Sequence, residues 1–420
     1  MTKVCVVGLG YVGLPTASLL ANRGFEVYGV DVNPYIVETI NRGDIHIYEP
    51  DLDVLVRAAV NSDNLKATLE PQQADVFILA VPTPFQGEHK PDVSYVEAAT
   101  KAIAPYLSSE SLVILESTSP VGTTEQIGAW IRNLRPELRG VYIAHCPERV
   151  LPGQVLKELV ENDRIIGGVD PESTEKAIAF YQQFVTGEIL GTDARTAELA
   201  KLTENAFRDV NIAFANELSL ICDKLDINVW ELIKLANRHP RVNILKPGPG
   251  VGGHCIAIDP WFIVDSAPEQ ARLIRTAREV NDSKPGYVVN RVKTAVQDIE
   301  RPVIACLGLA YKANVDDLRE SPAIAITKEL AVQEIGSIFA VEPYIKFLPE
   351  SLKDFDNLQL GNLEDVLQKA DIVVLLVAHN AFKQIKQSLL KDKLVIDTCG
   401  IWISEKLSER QQLKKLQPLV

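Results

Sequence analysis

Two doubly wound α/β domains joined by a central segment of long helices are the fold class that this 420-residue sequence predicts. Three observations carry the prediction. A β-branched run at the N-terminus passes into a glycine-rich turn and then a helix pattern. The same series of segments returns in the last third of the chain. Between them lies a stretch with helical apolar spacing and neither glycine nor proline.

The chain is too long for one hydrophobic core, and its texture divides it into three parts, 1–192, 193–300 and 301–420. With 46% hydrophobic and 24% charged residues and no low-complexity stretch, it reads as a folded, soluble protein, which excludes disorder. The start, MTKVCVVGLG, lacks the apolar run of a signal peptide, and the run 372–378 is fenced by Asp371 and His379. No membrane segment is expected, and the expected compartment is the cytoplasm. Six cysteines placed singly (5, 146, 222, 255, 306, 399) make no CxxC pair and are expected as reduced thiols. A net charge of −13 argues against a nucleic-acid partner, because a phosphate backbone needs a basic face. A local Arg/Lys cluster for a small anion remains compatible with it.

The first element is a strand, Lys3–Val7, followed by Gly8-Leu9-Gly10-Tyr11-Val12-Gly13 and an apolar helix. Gly8 permits the tight turn, Gly10 lets backbone amides approach a pyrophosphate, and Gly13 allows close helix packing. Pro15 lies in the first helical turn, where a missing N–H costs nothing. A second strand, 25–30, ends in Asp31, 18 residues after Gly13, where a carboxylate holds the adenosine ribose of NAD and disfavours NADP. This is a Rossmann-like dinucleotide site.

The later segments repeat the pattern. VCVVGLGYVG (4–13) returns as IACLGLAYKA (304–313), VYGVDVNP (27–34) as IFAVEPYI (338–345), and ADVFILAV (74–81) as ADIVVLLV (370–377). The second copy lacks the third glycine and carries Tyr311-Lys312, so it is expected to be a Rossmann-like domain for an anion other than a dinucleotide. Between the copies, 196–225 reads as one long helix, and 268–299 as a helical region broken at Pro285. Such helices suit the pairing of two subunits. On the first, Lys201, Asn205 and Arg208 follow i, i+4, i+7 spacing and share a face. By itself that reads as a solvated polar stripe, but its neighbours are Leu, Ala and Phe and it sits just before the cysteine segment.

One cysteine stands apart. Cys5 and Cys306 sit in apolar strands and read as small buried hydrophobes. Cys255 follows GPGVGGH, and the glycines are expected to clear the approach of a substrate to a nucleophile. A thiol with pKa ~8.5 is only roughly 3% thiolate at pH 7, so it needs a nearby cation, for which Lys201 is a candidate. Zinc binding by His145-Cys146 and His254-Cys255 is the rival. Adjacent side chains of an extended chain point apart, so no metal site is expected.

Taken together, GLGYVG, Asp31, VPTP (81–84), ESTSPVGTT (116–124), CPERVLPG (146–153), AELAKLTENAFRDVNIAFANEL, GGHC, Tyr311-Lys312 and LRESP (318–322) resemble the UDP-glucose/GDP-mannose dehydrogenase family over nearly the whole chain. The resemblance implies oxidation of a sugar C6 alcohol to a carboxylate by two NAD at one site, through a thiohemiacetal and a thioester on Cys255. It implies that Lys201 and Asn205 stabilise oxyanions, that Glu148 is the acid/base residue, and that Thr118 and Asp259 position water. Cofactor contacts are implied for Gly8, Gly10, Tyr11, Val12, Gly13, Asp31, Thr83, Thr118 and Arg319. Substrate contacts are implied for Arg149, Val150, Lys201, Asn205, Arg208, His239, Arg241, Gly252, Tyr311 and Lys312. A homodimer is implied, with Arg241 reaching the partner's site.

Departures bear on the sugar. UDP-glucose members of the family commonly carry a second glutamate where this chain has Pro152, and a serine and a lysine where it has His254 and Ile258. With HPRVN (239–243), these letters imply a UDP-N-acetylhexosamine of manno configuration, with the gluco epimer and UDP-glucose as alternatives. Cys399 stands where relatives commonly place a Lys or Arg toward the nucleotide. From another class, a zinc alcohol dehydrogenase and a non-catalytic NAD-binding protein remain as alternatives.

Overall fold

A computed structural model describes residues 1–402 except 88, 152 and 254, so Pro152 and His254 lie outside the described residues. The chain divides into two compact units, one made of 1–204 with 261–270, the other of 205–260 with the residues from 271 onward.

In the first unit, strands β1 (Lys3–Val7), β2 (Glu26–Val30), β3 (Leu65–Thr68), β4 (Val76–Leu79), a short hairpin of β5 (Phe85–Gln86) and β6 (Lys90–Pro91), β7 (Leu112–Leu115), β8 (Tyr142–His145), β9 (Arg164–Gly168) and β10 (Ile189–Asp193) follow in order. Apart from the hairpin they form one sheet, β10-β9-β8-β7-β4-β1-β2-β3, parallel except where β8 meets β9. Helices α1 (Gly13–Asn22), α2 (Pro34–Asn41), α3 (Leu52–Asn61), α4 (Ser94–Ile103), α5 (Thr123–Leu134), α6 (Val155–Glu161) and α7 (Pro171–Tyr181) connect them. The run KVCVV is apolar without alternation because both its faces are buried. Val4 and Val6 enter the core under α1 and α3, while Cys5 and Val7 enter the core under α4 and α5.

The long helix expected over 196–225 is α8 (Ala194–Lys224), followed by α9 (Val229–Ala236) and α10 (Asp259–Ser266). The second unit then adds α11 (Arg272–Val296) and a parallel sheet of β11 (Val303–Leu307), β12 (Ser337–Val341), β13 (Leu358–Leu360), β14 (Ile372–Leu375) and β15 (Leu394–Asp397), ordered β13-β12-β11-β14-β15. Its helices are α12 (Pro322–Val332), α13 (Leu363–Lys369) and α14 (Asn380–Lys383).

The repeat seen in the letters recurs at the level of atoms. Gly8 N donates to Val30 O at 2.8 Å, and Gly308 N to Val341 O at 2.8 Å. Lys3 N donates to the Asp75 carboxylate at 2.8 Å, and Val303 N to the Asp371 carboxylate at 2.8 Å.

The expected break at Pro285 does not occur, since α11 runs through it. A proline removes one helical hydrogen bond and adds a clash, a local cost of about 3 kcal/mol. Tertiary contacts on both sides outweigh it. Ahead of the proline, Arg278, Asn281 and Lys284 are buried, and after it Val288, Val289, Val292 and Val296 continue into the core.

The three polar residues are held on α8. Arg278 Nη1 donates to Asp209 Oδ1 at 2.6 Å, and Asn281 Nδ2 to the same oxygen at 2.7 Å. Asn216 Nδ2 donates to Asn281 Oδ1 at 2.8 Å, and Lys284 Nζ to Ser219 Oγ at 2.8 Å. Removing one partner of a buried ion pair costs about 3–5 kcal/mol, because the other charge is stranded. Arg278 also pairs with Asp282, so the variant that strands a charge is Arg278→Ala, which leaves the buried Asp209 without its cation. It is expected to lower the unfolding free energy by that amount in urea titrations, and a loss under about 1 kcal/mol would contradict this account.

Candidate functional site

The glycine-rich turn of the first unit is shaped by contact as well as by conformation. Gly8 has φ +93°, and a Cβ there would lie 2.4 Å from Ala80 O, while a Cβ on Gly13 would lie 1.8 Å from Gly8 O. At Gly10 a Cβ would meet nothing within 4 Å. This is the open side of the turn, where a pyrophosphate can approach the amides at the start of α1. Asp31 accepts the Leu9 amide at 3.1 Å and the Asn33 amide at 2.9 Å. A carboxylate has about four lone-pair sites, so ribose acceptance is still open to it. Tyr11 is exposed and Val12 half-buried beside this turn. These groups fit a dinucleotide.

Thr83 is buried and donates to Thr118 O at 2.7 Å, tying together the loops that follow β4 and β7. The second loop is held by Glu198 of α8, a residue that the sequence reading passed over. Its carboxylate accepts Gly122 N at 2.6 Å, Thr124 N at 2.7 Å and Thr124 Oγ1 at 2.6 Å, capping α5.

Glu148 follows β8 and is buried. Its carboxylate accepts Arg164 Nη1 at 3.1 Å and the Arg149 amide at 2.6 Å. Arg149 turns its own guanidinium to Glu204, at 2.8 Å, and to Asp163 O, at 3.1 Å. Val150 is half-buried. Another acid without a motif, buried Glu49, accepts the amides of Gly153 and Val155 at 2.8 and 2.9 Å and so anchors the stretch after Glu148. Lys201 is half-buried on this unit's part of α8.

In the second unit, Asn205 Nδ2 donates to Asp259 Oδ2 at 2.5 Å, and the Asp259 amide donates to Cys255 O at 2.9 Å. Asn205, Cys255 and Asp259 are thus brought together. Asp259 is buried, whereas Cys255 is exposed, and the other five thiols are buried or partly so. Burial pushes the thiols of Cys146, Cys306 and Cys399 up to about 12 and that of Cys5 to about 11, which leaves them protonated and inert.

The glycines before Cys255 do other work than expected. A Cβ on Gly253 (φ +85°) would lie 2.8 Å from the Tyr311 ring, and one on Gly252 would lie 2.4 Å from Glu320 O. They let the chain lie against the 311–322 loop and do not open a vacant path. Beside it, a cleft of ≈ 170 Å³ is lined by Pro249, Tyr311, Lys312, Pro322, Val377 and Cys399, among others. Lys312 and Arg208 are exposed, and Arg319 forms a two-point ion pair with Asp317, Nη2 to Oδ2 at 2.6 Å. His239 and Arg241 are exposed after α9, with the Arg241 amide donating to His239 Nδ1 at 3.3 Å.

The counterpart of Asp31 in the second copy is Glu342. It accepts the Leu309 and Ala310 amides at 2.7 and 3.0 Å, as Asp31 accepts Leu9, but it is buried under His379, whose Nε2 lies 3.0 Å from it. His379 Nδ1 accepts Asn314 N at 2.9 Å, so the proton of the neutral ring is on Nε2, toward Glu342. The acid that would receive a ribose is occupied by the protein itself, which explains why the second copy does not suit a dinucleotide.

Comparison with known proteins agrees with both copies. Family models described as UDP-glucose/GDP-mannose dehydrogenase family match as NAD binding domain over 2–185, central domain over 195–283 and UDP binding domain over 305–404. An NDP-N-acetyl-D-galactosaminuronic acid dehydrogenase of Ralstonia nicotianae is 60% identical over 96% of this chain and 97% of its own. A UDP-N-acetyl-D-mannosamine dehydrogenase of Campylobacter jejuni is 58% identical over 94% and 98%. The solved UDP-D-ManNAc dehydrogenase from Pyrococcus horikoshii superposes with a TM-score of 0.85 at 39% identity, over 95% of this chain and 96% of that one.

The contact at Gly13 makes the NAD site testable. Gly13→Ala is expected to weaken NAD binding at least about tenfold in calorimetric titration, since the turn must move to admit the methyl group. Unchanged affinity would show that the turn does not set the cofactor site.

Proposed function

The chain belongs to the UDP-glucose/GDP-mannose dehydrogenase family, and on that premise we propose that it oxidises C6 of UDP-N-acetyl-D-mannosamine to give UDP-N-acetyl-D-mannosaminuronate. The observation that carries the chemistry is the one exposed thiol, Cys255, bonded through its backbone to Asp259, which in turn holds Asn205. In this reading 1–192 binds NAD, 193–300 supplies the nucleophile and the dimer contacts, and 301–420 binds the UDP moiety through Tyr311 and Lys312.

Bound NAD is the hydride acceptor of both oxidations. The residues of the chain do the rest. The first oxidation turns the C6 alcohol into an aldehyde, and the Cys255 thiolate adds to that carbon to form a thiohemiacetal. The adduct is required because the C–H of an aldehyde is a poor hydride donor, whereas the oxygen of the tetrahedral adduct pushes that hydride out as the thioester carbonyl forms. Oxidation of the adduct leaves a thioester, and water then displaces the sulfur, giving the carboxylate and a free thiolate. Lys201 and Asn205 donate to the oxyanions, where one pre-placed donor is worth about 3 kcal/mol. Glu148 takes the proton of the attacking water, which Asp259 and Thr118 orient.

The N-acetylhexosamine is supported by HPRVN and Ile258 in this chain and by the names of relatives at 54–60% identity. A homodimer is supported by the exposed Phe207, Phe214 and Ile221 on α8 and Leu235 on α9, with Arg241 reaching the partner's site. Among the described residues no helix is long and apolar enough to cross a membrane. The cytoplasm, where free thiols stay reduced, is the compartment of this reading, and the product would supply surface polysaccharide synthesis.

Purified protein given NAD and a panel of UDP-sugars, including the N-acetyl-gluco and N-acetyl-galacto epimers and UDP-glucose, is expected to turn over the manno sugar fastest with two NADH per sugar. A ratio of one would overturn the thioester route, and a faster gluco or galacto epimer would overturn the substrate. Cys255→Ser is expected to abolish carboxylate formation by at least about a thousandfold while NAD still binds; unchanged turnover would remove Cys255 from the mechanism.

A further inference from the structure

The first unit contains a second carboxyl group beside Glu148 that no step above uses. Glu116 follows β7 as Glu148 follows β8, and the two backbones are in register there, with Cys146 N donating to Leu115 O at 3.0 Å and Glu148 N facing Glu116 O at 3.4 Å. Both side chains are buried, Glu116 at 1% exposure and Glu148 at 8%. Arg164, which opens β9 and is 1% exposed, binds Glu148 at 3.1 Å and lies over the Tyr181 ring at 5.7 Å. Tyr181 ends α7 and donates to Glu116 Oε1 at 2.8 Å, and Thr16 of α1 lies 3.5 Å from Glu116 Oε2. Cys146 completes the group, with its thiol kept protonated by burial.

The charges do not balance if every acid is ionised. Two carboxylates would share one guanidinium in a site that excludes water, since the Arg149 guanidinium is spent on Glu204 and Asp163 O. Isolated charge in such a place is expensive, and of two interacting carboxyls one retains a proton. The partners decide which one. Glu148 has the guanidinium and a backbone amide, both of which favour a carboxylate, whereas Glu116 has neutral hydroxyls.

We propose that Glu116 is a positioning residue that holds the proton of this buried pair, so that Arg164 stays committed to Glu148 and Glu148 is kept ionised and aimed. The cluster then carries one negative and one positive charge and is neutral overall. When Glu116 loses its proton to solvent at higher pH, a second negative charge faces Glu148 and favours the step in which Glu148 takes the proton of the attacking water. Burial, with the charge of Glu148 adding to it, lifts Glu116 to about 7, so the change falls within the working range of pH. The inference rests on Glu148 as the acid/base residue, and loss of carboxylate formation in Glu148→Gln tests that role separately.

The test is infrared difference spectroscopy on the full chain between about pH 6 and pH 8.5, read at the carbonyl stretch of a buried protonated carboxyl group. The wild type is expected to lose one such band on going to the higher pH, and Glu116→Gln to show none. In parallel, wild-type kcat with NAD and the UDP-sugar is expected to rise with an inflection near pH 7 that Glu116→Gln lacks, while any inflection from the Cys255 thiol is common to both. Tyr181→Phe keeps the acid but removes the nearer of its two hydroxyl donors, and is expected to move band and inflection up by about one pH unit, tenfold in proton affinity. If Glu116→Gln does not fold, that shift and the wild-type band decide. A wild type without the band, a band surviving in Glu116→Gln, or superposed pH profiles would overturn the proposal.

Discussion

The candidate chemistry of the second unit depends on one buried ion pair, Asp209 with Arg278. Desolvating Asp209 raises its pKa and works against its charge, and Arg278 and Asn281 counter that with two hydrogen bonds to one oxygen. Such a pair adds little net stability compared with an apolar contact, but it is specific, because any slip of α8 along α11 would strand a charge. The specificity is passed on. Asn281 receives Asn216, and Asn216 Oδ1 takes the amide of Gly248, the start of the stretch that ends at Cys255 and Asp259. The register of α8 also sets Asn205 against Asp259, so the pair fixes both ends of that arrangement.

The two copies of the α/β fold show how one scaffold is given two tasks. The backbone hydrogen bonds at Gly8 and Gly308, and the acids Asp31 and Glu342 that receive the amides of the turn, are equivalent. The difference is what covers the acid. Asp31 remains half-buried, while Glu342 is closed off by His379. One side chain thus separates a carboxylate open to a ribose from one that serves the protein's own amides, those of Leu309, Ala310 and Tyr344.

Much of this was legible in the letters. The unbroken apolar strands, the glycine spacing and the repeat at 304 to 377 express burial on both faces and close backbone approach, which are local constraints. Cys255 was legible by contrast, as a cysteine outside any apolar element. The roles of Glu49, Glu116, Arg164 and Glu198 were not, because a lone charged residue carries no periodicity and its partners lie 16 to 106 positions away, as Arg164 does from Glu148 and Glu49 from Val155. The continuity of α11 through Pro285 is hidden in the letters for the same reason, since the cost of the proline is local and the contacts that outweigh it are not.

By itself the sequence determined the class of fold, the dinucleotide turn with its acid, and the singular thiol, each a property of residues near one another along the chain. The tertiary structure decided what the glycines before Cys255 touch, which acid of the second copy is closed, and which carboxyl groups share Arg164. Those outcomes depend on desolvation and on charge balance among groups that only folding brings together.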